Sequence, residues 1–343
     1  MVTKSDARVR GCRRLAGLAR AGWVATLTAL ALLGVSCGEP IGPAASTSTP
    51  ASTSADSATP GADESSSASS ISPEYDLFVP GRAREVVDAL TAAANGRPVV
   101  RLVLDRTQAR LTYVDQGDRP QSFVWSAGEI TPSDDGNDLV AAASFDPSDF
   151  DLDDVASLFD QAKQISGSSG KQELQISEYD HGQTLITITT TPESTTVFFT
   201  AQGDLIPRLD LKDEDDLAQG LADVMVDRLF VVAIGVKDAD QIWADVVASP
   251  GVMERRIRGS KVPMYLTQRH ETTSAHQFDP SVIDMSVLAR LVRTAPGILG
   301  KPSADQVTIT VQQPKDASEP RIYIDVDGDQ LVTDLQGSPV SES

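Results

Sequence analysis

The stretch FDPSDFDLDDVASL, residues 145–158, returns later in the chain as FDPSVIDMSVLARL, residues 278–291. A second pair of related segments, DLFVPGRAREVVDAL from Asp76 and DLKDEDDLAQGLADV from Asp210, is separated by nearly the same interval. Two markers repeated at one spacing indicate an internal duplication. We therefore predict two related halves, residues 74–209 and 210–337, and a disordered tail at residues 338–343.

Each half is predicted to hold two units, each made of a helix followed by strands. Apolar residues at helical spacing mark the four helices: Val86, Leu90 and Ala94; Val155, Leu158, Phe159 and Ala162; Leu217, Leu221 and Met225; and Val287, Leu288, Leu291 and Val292. Alternating segments predict strands near 99–104, 109–114, 121–125, 172–177, 184–190, 195–200, 230–236, 252–257, 262–267, 306–312 and 321–326, with an extra helix at 239–247. The predicted class is α+β, in which the helices of tandem repeats pack on one face of an antiparallel sheet.

The N-terminal segment has the pattern of an export signal. Six Lys and Arg residues precede Trp23, and the stretch from Trp23 to Val35 carries no charge. This apolar stretch is shorter than the roughly 20 residues that a spanning helix needs. A basic start followed by a short apolar region is typical of a signal peptide, which we place at residues 1–36.

The segment Leu33-Gly34-Val35-Ser36-Cys37 resembles the lipobox of bacterial lipoproteins, although Leu33 stands one place earlier than in the strict motif. The resemblance implies cleavage between Ser36 and Cys37 and a diacylglyceryl group with fatty chains such as palmitate on the Cys37 thiol. Two such chains hold a protein stably on a membrane. The alternative is an ordinary signal peptide, with Cys37 incidental. Arg13-Arg14 leaves Tat export open beside Sec export.

Residues 37–73 are predicted to be a disordered tether. They are rich in Ser, Thr, Ala and Pro, and no Lys or Arg occurs between Cys37 and Arg82. Such a composition cannot build a core. A flexible chain of this length has an end-to-end distance of roughly 30 Å, which lifts the folded part away from the headgroups.

The chain is strongly acidic, with a formal net charge of −20. Removal of the basic signal peptide would make it more acidic still. Such a surface repels nucleic acid and anionic headgroups, so we expect no nucleic-acid partner and an anchor that depends on the lipid. Only Cys12 accompanies Cys37, and it lies in the predicted signal peptide. The mature fold is therefore expected to be held by its core without a disulfide.

The opening YDLFVPGRAREVVDAL, followed by strands and a second helix introduced by Phe-Asp, resembles repeat units in exported proteins and lipoproteins of actinobacterial type. The units are also loosely similar to PepSY modules and to the tandem units of the β-lactamase inhibitory protein. Envelope lipid-carrier lipoproteins, whose curved sheet encloses an acyl cavity, are related by location. These resemblances imply an extracytoplasmic location, and they carry little function over to this chain.

Two patterns of histidine and aspartate residues partly resemble metal-binding motifs. His270 and His276 are spaced too widely for a zinc-binding HExxH helix, and only His181 occurs elsewhere, so loop histidines are expected. Asp325, Asp327 and Asp329 lack the Gly and Glu positions of an EF-hand, and Asp327-Gly328 predicts a hairpin turn.

Ser168 and Lys171 satisfy S-x-x-K but lie in a glycine loop without the accompanying motifs of penicillin-binding proteins. Carboxylate pairs are abundant, but glycosidases use aromatic-lined clefts and aromatics make up only 5% of the chain. Trp125, Trp243, Phe198, Phe199 and Phe230 are expected in the core. We predict no catalytic, cofactor-binding or metal-ligating residues.

The sequence thus favours a non-enzymatic, monomeric lipoprotein on the outer face of the cell membrane, where its repeats bind a protein or an envelope lipid or glycan without a cofactor. One alternative is a lipid or glycolipid carrier with an apolar cavity between sheet and helices. A cell-envelope hydrolase is the other, and it would need a cleft with paired carboxylates of shifted pKa.

Overall fold

A computed structural model describes residues 71–134, 142–168, 170–192 and 194–340 of the chain. In the first half they form α1 (Arg82–Ala94), β1 (Val99–Leu104), β2 (Gln108–Val114), β3 (Pro120–Ser126), β4 (Glu129–Ser133), α2 (Val155–Ser166), β5 (Lys171–Asp180), β6 (Gln183–Thr191) and β7 (Thr196–Phe199). In the second half they form α3 (Glu214–Val224), β8 (Ala233–Lys237), β9 (Gln241–Ser249), β10 (Val252–Gly259), β11 (Met264–His270), α4 (Met285–Ile298), β12 (Val307–Gln312), β13 (Arg321–Val326) and β14 (Asp329–Thr333).

The two halves have one topology. The first sheet has the order β4-β3-β2-β1-β5-β6-β7 and the second the order β11-β10-β9-β8-β12-β13-β14. In each sheet a four-stranded meander and a three-stranded meander join through their first strands, at Leu102 opposite Ile176 and at Val236 opposite Ile309. The predicted α+β class with repeated helix and strand units is confirmed.

The repeated FDPS motif has the same structure in both halves. Its Phe forms an isolated antiparallel bridge, Phe145 with Val99 and Phe278 with Val231. The Asp then accepts the backbone N–H of the Ser and opens a one-turn 3-10 helix. The motif therefore fixes the crossover from the first meander to the second helix.

Aspartates begin three of the helices. Asp154, Asp213 and Asp284 accept backbone N–H groups from the first turns of α2, α3 and α4. These hydrogen bonds satisfy donors that the helix itself leaves free. α2 ends at Gly167, whose φ of 66° is easy for glycine.

The space between helices and sheets is filled with apolar side chains. α1 packs on β2 and β3, α2 on β6 and β7, α3 on β9 and β10, and α4 on β12 and β13. Leu102, Ile176, Ile234 and Val311 are fully buried in these two cores. Both cores lie on one side of their sheet, so we call the face opposite the helices the open face.

Four elements, β4, β9, β14 and α4, differ from the sequence prediction. Residues 239–247, predicted as a helix, mostly form strand β9, which pairs with β8 and β10. The prediction was wrong because Ile242, Trp243, Val246 and Val247 mimic helical spacing while both faces of the strand are covered. Pro296-Gly297 in the sequence predicts an end of the fourth helix, because proline rarely lies inside a helix, but α4 continues through both residues to Ile298. Strands β4 and β14 were not predicted.

The halves touch where the β5–β6 turn meets the β10–β11 hairpin. The Tyr179 hydroxyl donates to the Pro263 carbonyl oxygen at 2.9 Å, and the Leu266 N–H donates to Asp180 Oδ2 at 2.9 Å. Burial, followed by the nearby Tyr265 and Asp180, raises the pKa of Tyr179 to about 12. The phenol is therefore a hydrogen-bond donor at neutral pH.

Residues 1–70 and 341–343 lie outside the described part, and with them Ser36, Cys37 and nearly all of the predicted tether. Within the described ranges, no helix is both long enough and apolar enough to cross a bilayer.

Candidate functional site

The three histidines lie apart. His181 sits in the β5–β6 turn with Nδ1 2.7 Å from Asp180, His270 ends β11, and His276 Nε2 lies 3.2 Å from the Lys315 carbonyl oxygen. Across the described ranges, no three His, Cys, Asp or Glu side chains come together in a way that could hold a metal ion.

The Asp325, Asp327 and Asp329 segment forms the predicted hairpin between β13 and β14. Asp325 accepts the Gly328 N–H, Asp327 accepts the Gln306 N–H, and Asp329 pairs with Lys301 at 2.9 Å. The three carboxylates therefore stabilise a turn and do not converge.

The Ser168 and Lys171 side chains of the S-x-x-K pattern have different partners and do not bond to each other. Ser168 Oγ accepts the Gly170 N–H, and Lys171 Nζ lies 3.3 Å from Asp105. Ser169 between them lies outside the described ranges. The lysine is thus engaged by a carboxylate in a surface ion pair.

The aromatic side chains have mixed positions. Trp125 and Phe199 are in the first core, as predicted. Trp243 is buried on the open face of the second sheet, and Phe230 is 54% exposed in the α3–β8 connection, so its predicted place in the core is wrong.

That connection is longer than its counterpart in the first half, residues 225–232 against 95–98. Besides Phe230 it exposes Val226 and Leu229, the latter to 78%. The first half makes the same crossing with Asn95-Gly96-Arg97-Pro98. The exposed apolar side chains are therefore an addition that the topology does not demand.

A row of side chains crosses the open face of the second sheet from edge to edge. Successive pairings of the seven strands place side by side Val332, Tyr323, Thr310, Gly235, Trp243, Ile257 and Tyr265. The matching row of the first sheet runs through Arg101 and consists of Leu185, Ser177, Arg101, Thr112, Ser122 and Ser133. Arg101 corresponds to Gly235 because the residues that follow them, Leu102 and Val236, both enter the cores.

The contrast between the two rows is chemical. Hydroxyl side chains dominate the first row, where Thr112 and Ser122 share a hydrogen bond of 2.9 Å. Aromatic and branched side chains dominate the second row, which we call the aromatic row. Since both rows are carried by the same strand arrangement, backbone pairing does not require aromatics there. The second open face has acquired the composition that is enriched in binding surfaces.

Trp243 anchors the centre of this row. Its indole lies against Gly235, where a Cβ atom would have no room, and the Arg255 guanidinium lies 3.8 Å from the ring centroid on the exposed side. Such a cation–π contact contributes about 0.5–2 kcal/mol. Trp243 is thereby 8% exposed despite standing on the open face.

Asp245 fixes the arginines around the indole. Its carboxylate accepts two hydrogen bonds from Arg255 at 2.8 Å each, and two from Arg269 at 2.8 and 3.2 Å. Arg269 also pairs with Glu271. Burial raises the pKa of Asp245, but the hydrogen bonds from the two guanidinium groups outweigh it, and the net pKa is lowered. The charges of the cluster therefore balance, and its side chains are held in place.

Sequence reasoning missed this cluster. Asp245, Arg255 and Arg269 come from three strands, and their approach depends on the register of β9, β10 and β11. The one linear signal was a set of arginines in an acidic chain, Arg255, Arg256, Arg258 and Arg269.

A cavity of about 300 Å³ lies at the junction of the halves. Its walls come from the end of α2, from β7, from the connection that leads to the second half, and from the β10–β11 loop, and its main lining residues are Ile165, Val197, Phe198, Leu205, Ile206, Arg208 and Lys261. We call it the junction cavity.

A larger and more open cleft, about 820 Å³, lies beside the C-terminal half of α4. Val292, Pro296 and Ile298 give it an apolar wall. Its charged lining residues are of both signs: Lys212, Arg293, Asp238 and Asp305. Arg293 donates to the Lys212 carbonyl oxygen, which ties α4 to the segment before α3.

No protein-family model and no curated protein matches the chain. Among solved structures it is weakly similar to the DNA polymerase III subunit beta from Pseudomonas aeruginosa, with 11% identity, 72% of this chain and 58% of that chain covered, and a TM-score of 0.12. The beta subunit from DNA polymerase of Streptococcus pyogenes gives 11% identity, coverages of 76% and 64%, and a TM-score of 0.13. The chain thus spans less than two thirds of either, and at such TM-scores the likeness supports no argument.

Proposed function

We propose that the chain is a non-enzymatic binding protein, anchored by lipid at Cys37 to the outer face of the cell membrane, and that the open face of its second sheet is the recognition surface. The observation that carries the proposal is the contrast between the two rows. The same strand positions hold Ser133, Ser122 and Thr112 in one half, and Tyr265, Ile257 and Trp243 in the other.

The rigidity of this surface supports a binding role. Arg255 is held on one side by Trp243 and on another by Asp245, so little side-chain freedom is left to lose when a partner binds. Preorganised side chains bind more tightly because the entropic cost of ordering is already met. Aromatic residues and arginine are also the types that dominate binding energy in interfaces.

Two carboxylates bound by arginines are poorly suited to act as general acids. Hydrogen bonds from Arg106 lower the pKa of Asp76, and those from Arg255 and Arg269 lower the pKa of Asp245. A general acid working near neutral pH needs the opposite shift. These carboxylates behave as members of structural ion pairs.

Site-specific photo-crosslinking in intact cells tests the recognition surface. A photoreactive residue at Tyr323 should give discrete adducts with an envelope component, because Tyr323 lies in the aromatic row. The same residue at Thr131, on the open face of the first sheet, is the matched control and should give none. Equal adducts at both positions, or adducts at neither, would contradict the proposed surface.

A lipid or glycolipid carrier is the second candidate. Apolar side chains fill the space between sheets and helices in both halves, so a carrier would use the cleft beside α4. Its volume and its apolar wall favour this candidate. Organic extraction of natively purified protein, followed by mass spectrometry, tests it: stoichiometric lipid that is lost on substitution of the exposed cleft residue, Ile298→Arg, would support the carrier.

A further inference from the structure

The junction cavity combines apolar walls with positive charge at its rim. Ile165 closes it from α2, Val197 and Phe198 from β7, and Leu205 and Ile206 from the connection between the halves. Val197 is 3% exposed, whereas Leu205 is 37% exposed. The cavity thus has a buried apolar interior and an apolar mouth.

Arg208 and Lys261 line the same cavity. Neither side chain has a hydrogen-bond or ion-pair partner among the described residues. Most other arginines of the described part are engaged, as Arg255 is by Asp245 and Arg258 by Asp223. Exposed lysines such as Lys163 and Lys315 also have no acidic partner among the described residues, but they do not line this cavity. Arg208 and Lys261 differ from them by their position beside an apolar cavity, in a chain of net charge −20.

The walls of the cavity are held by the contact between the halves. Arg258 is 1% exposed, and its guanidinium donates to the Pro207 carbonyl oxygen at 2.5 Å and to the Val262 carbonyl oxygen. Pro207 precedes Arg208, and Val262 follows Lys261. One buried guanidinium therefore fixes the backbone on which both free cations stand, so the cavity is preformed.

We propose that the junction cavity binds a single-chain anionic amphiphile of the fatty-acid class. The acyl chain occupies the apolar interior, and the carboxylate lies at the mouth between Arg208 and Lys261. Charge complementarity selects an anion, because the rest of the surface is acidic and repels it. The cavity volume of about 300 Å³ limits the ligand to one short to medium chain. This site is separate from the open face of the second sheet, so the test of the fatty-acid site is independent of the test of the proposed recognition surface.

Calorimetric titration of the full chain carrying Cys37→Ser, in buffer without detergent, tests the proposal with the series hexanoate, octanoate, decanoate and dodecanoate. We expect saturable binding of one molecule per chain. Each added methylene should tighten binding by about fourfold until the cavity is full. Absence of saturable binding by all four acids would overturn the proposal.

Charge reversal locates the site. Arg208→Glu combined with Lys261→Glu should weaken dodecanoate binding by about tenfold or more, because the carboxylate then meets two acids. Arg97→Glu combined with Lys315→Glu changes the net charge equally at exposed positions that do not line the cavity and should leave binding unchanged. An equal loss in both double variants would show that only the net charge matters, and no loss in the first would place the ligand elsewhere; either result overturns the proposal.

A variant at the mouth and an uncharged ligand test whether the loss of binding in the charge variants reflects the charges or misfolding. Leu205→Asp places a carboxylate at the partly exposed mouth, beside the ligand carboxylate, and should weaken binding of all four acids by a similar factor while the dependence on chain length is retained. Decanol, which lacks the charge, should bind the Arg208→Glu, Lys261→Glu variant as well as it binds the parent. Retained decanol binding shows that the cavity has folded, and its loss together with an unchanged circular dichroism spectrum contradicts the assigned site.

Discussion

The indole of Trp243 rests on Gly235 of the neighbouring strand so closely that no side chain fits between them. Gly235 lies in the middle of β8, where glycine weakens a strand because it has no side chain to pack. Here the neighbouring Trp243 supplies that packing from across the strand pair. The pair thus explains both the glycine and the burial of a tryptophan on a face without helices.

Gly235→Ala tests this relationship. The added methyl must push the indole away from the sheet and from Arg255, so we expect the free energy of unfolding to fall by about 1–3 kcal/mol. Urea unfolding followed by circular dichroism measures the change. Gly297→Ala is the matched control, because Gly297 lies in α4 with open space around its Cβ position, and alanine there should be neutral or stabilising. Equal stability of the parent and Gly235→Ala would contradict the packing described.

Asp245→Asn tests the charged cluster. Without the carboxylate the two guanidinium groups lose their shared partner, and we expect a loss of about 2–4 kcal/mol at pH 7. Asp160→Asn, at an exposed position of α2, should change stability by less than about 0.5 kcal/mol. Urea unfolding of both variants beside the parent makes the comparison.

The same substitution has a defined pH dependence. The folded state lowers the pKa of Asp245, so its contribution is complete above the ordinary pKa of about 3.9 and is lost as the pH falls through the lower folded value. The stability difference between parent and Asp245→Asn should therefore be constant from pH 7 to about 5 and shrink below about 4. A difference that stays constant down to pH 2 would show that the carboxylate is not the group responsible.

Arg258→Met tests the buried link between the halves. The guanidinium pairs with Asp223 at 2.8 Å and binds three carbonyl oxygens, none of which methionine can satisfy. We expect a loss of about 3–5 kcal/mol in the free energy of unfolding. Arg290→Met, which removes an exposed guanidinium from α4, should cost less than about 1 kcal/mol. Similar costs for the two variants would mean that Arg258 does not hold the junction.

Cys37→Ser tests the anchor. Without the thiol no diacylglyceryl group can be attached, and the protein should move from the membrane fraction to the soluble fraction after export. Immunoblots of separated fractions measure this. Cys12→Ser, within the predicted signal peptide, should leave the distribution unchanged. Retention of Cys37→Ser on the membrane would refute the lipid anchor.

Much of the fold could be predicted from local patterns. The FDPS motif marked the duplication because an Asp-Pro-Ser turn and the preceding Phe have the same task in each half. Turn residues such as Asp327-Gly328 located hairpins, because few other residues adopt positive φ easily. Strand β9 was not predicted because it is buried on both faces, so its sequence lacks the alternation of apolar and polar residues that indicates a strand.

The candidate sites were less accessible. The aromatic row depends on the register of seven strands, and a shift of one residue would send every member to the helix side. Phe230 was assigned to the core because its neighbours are apolar, but the longer α3–β8 connection leaves it exposed. The junction cavity is lined by residues as far apart in sequence as Ile165 and Lys261, and no local sequence pattern predicts that they lie close together.

The way the meanders join has a consequence for the order of folding. Among the strands of the described ranges, nearly every one pairs with its neighbour in sequence, whereas β1 with β5 and β8 with β12 close long loops. Local hairpins form on microsecond timescales, whereas distant pairings must first meet the entropy of loop closure. We therefore expect each helix and each meander to form early. The pairing at the centre of each sheet, Leu102 with Ile176 and Val236 with Ile309, should form last and limit the folding rate.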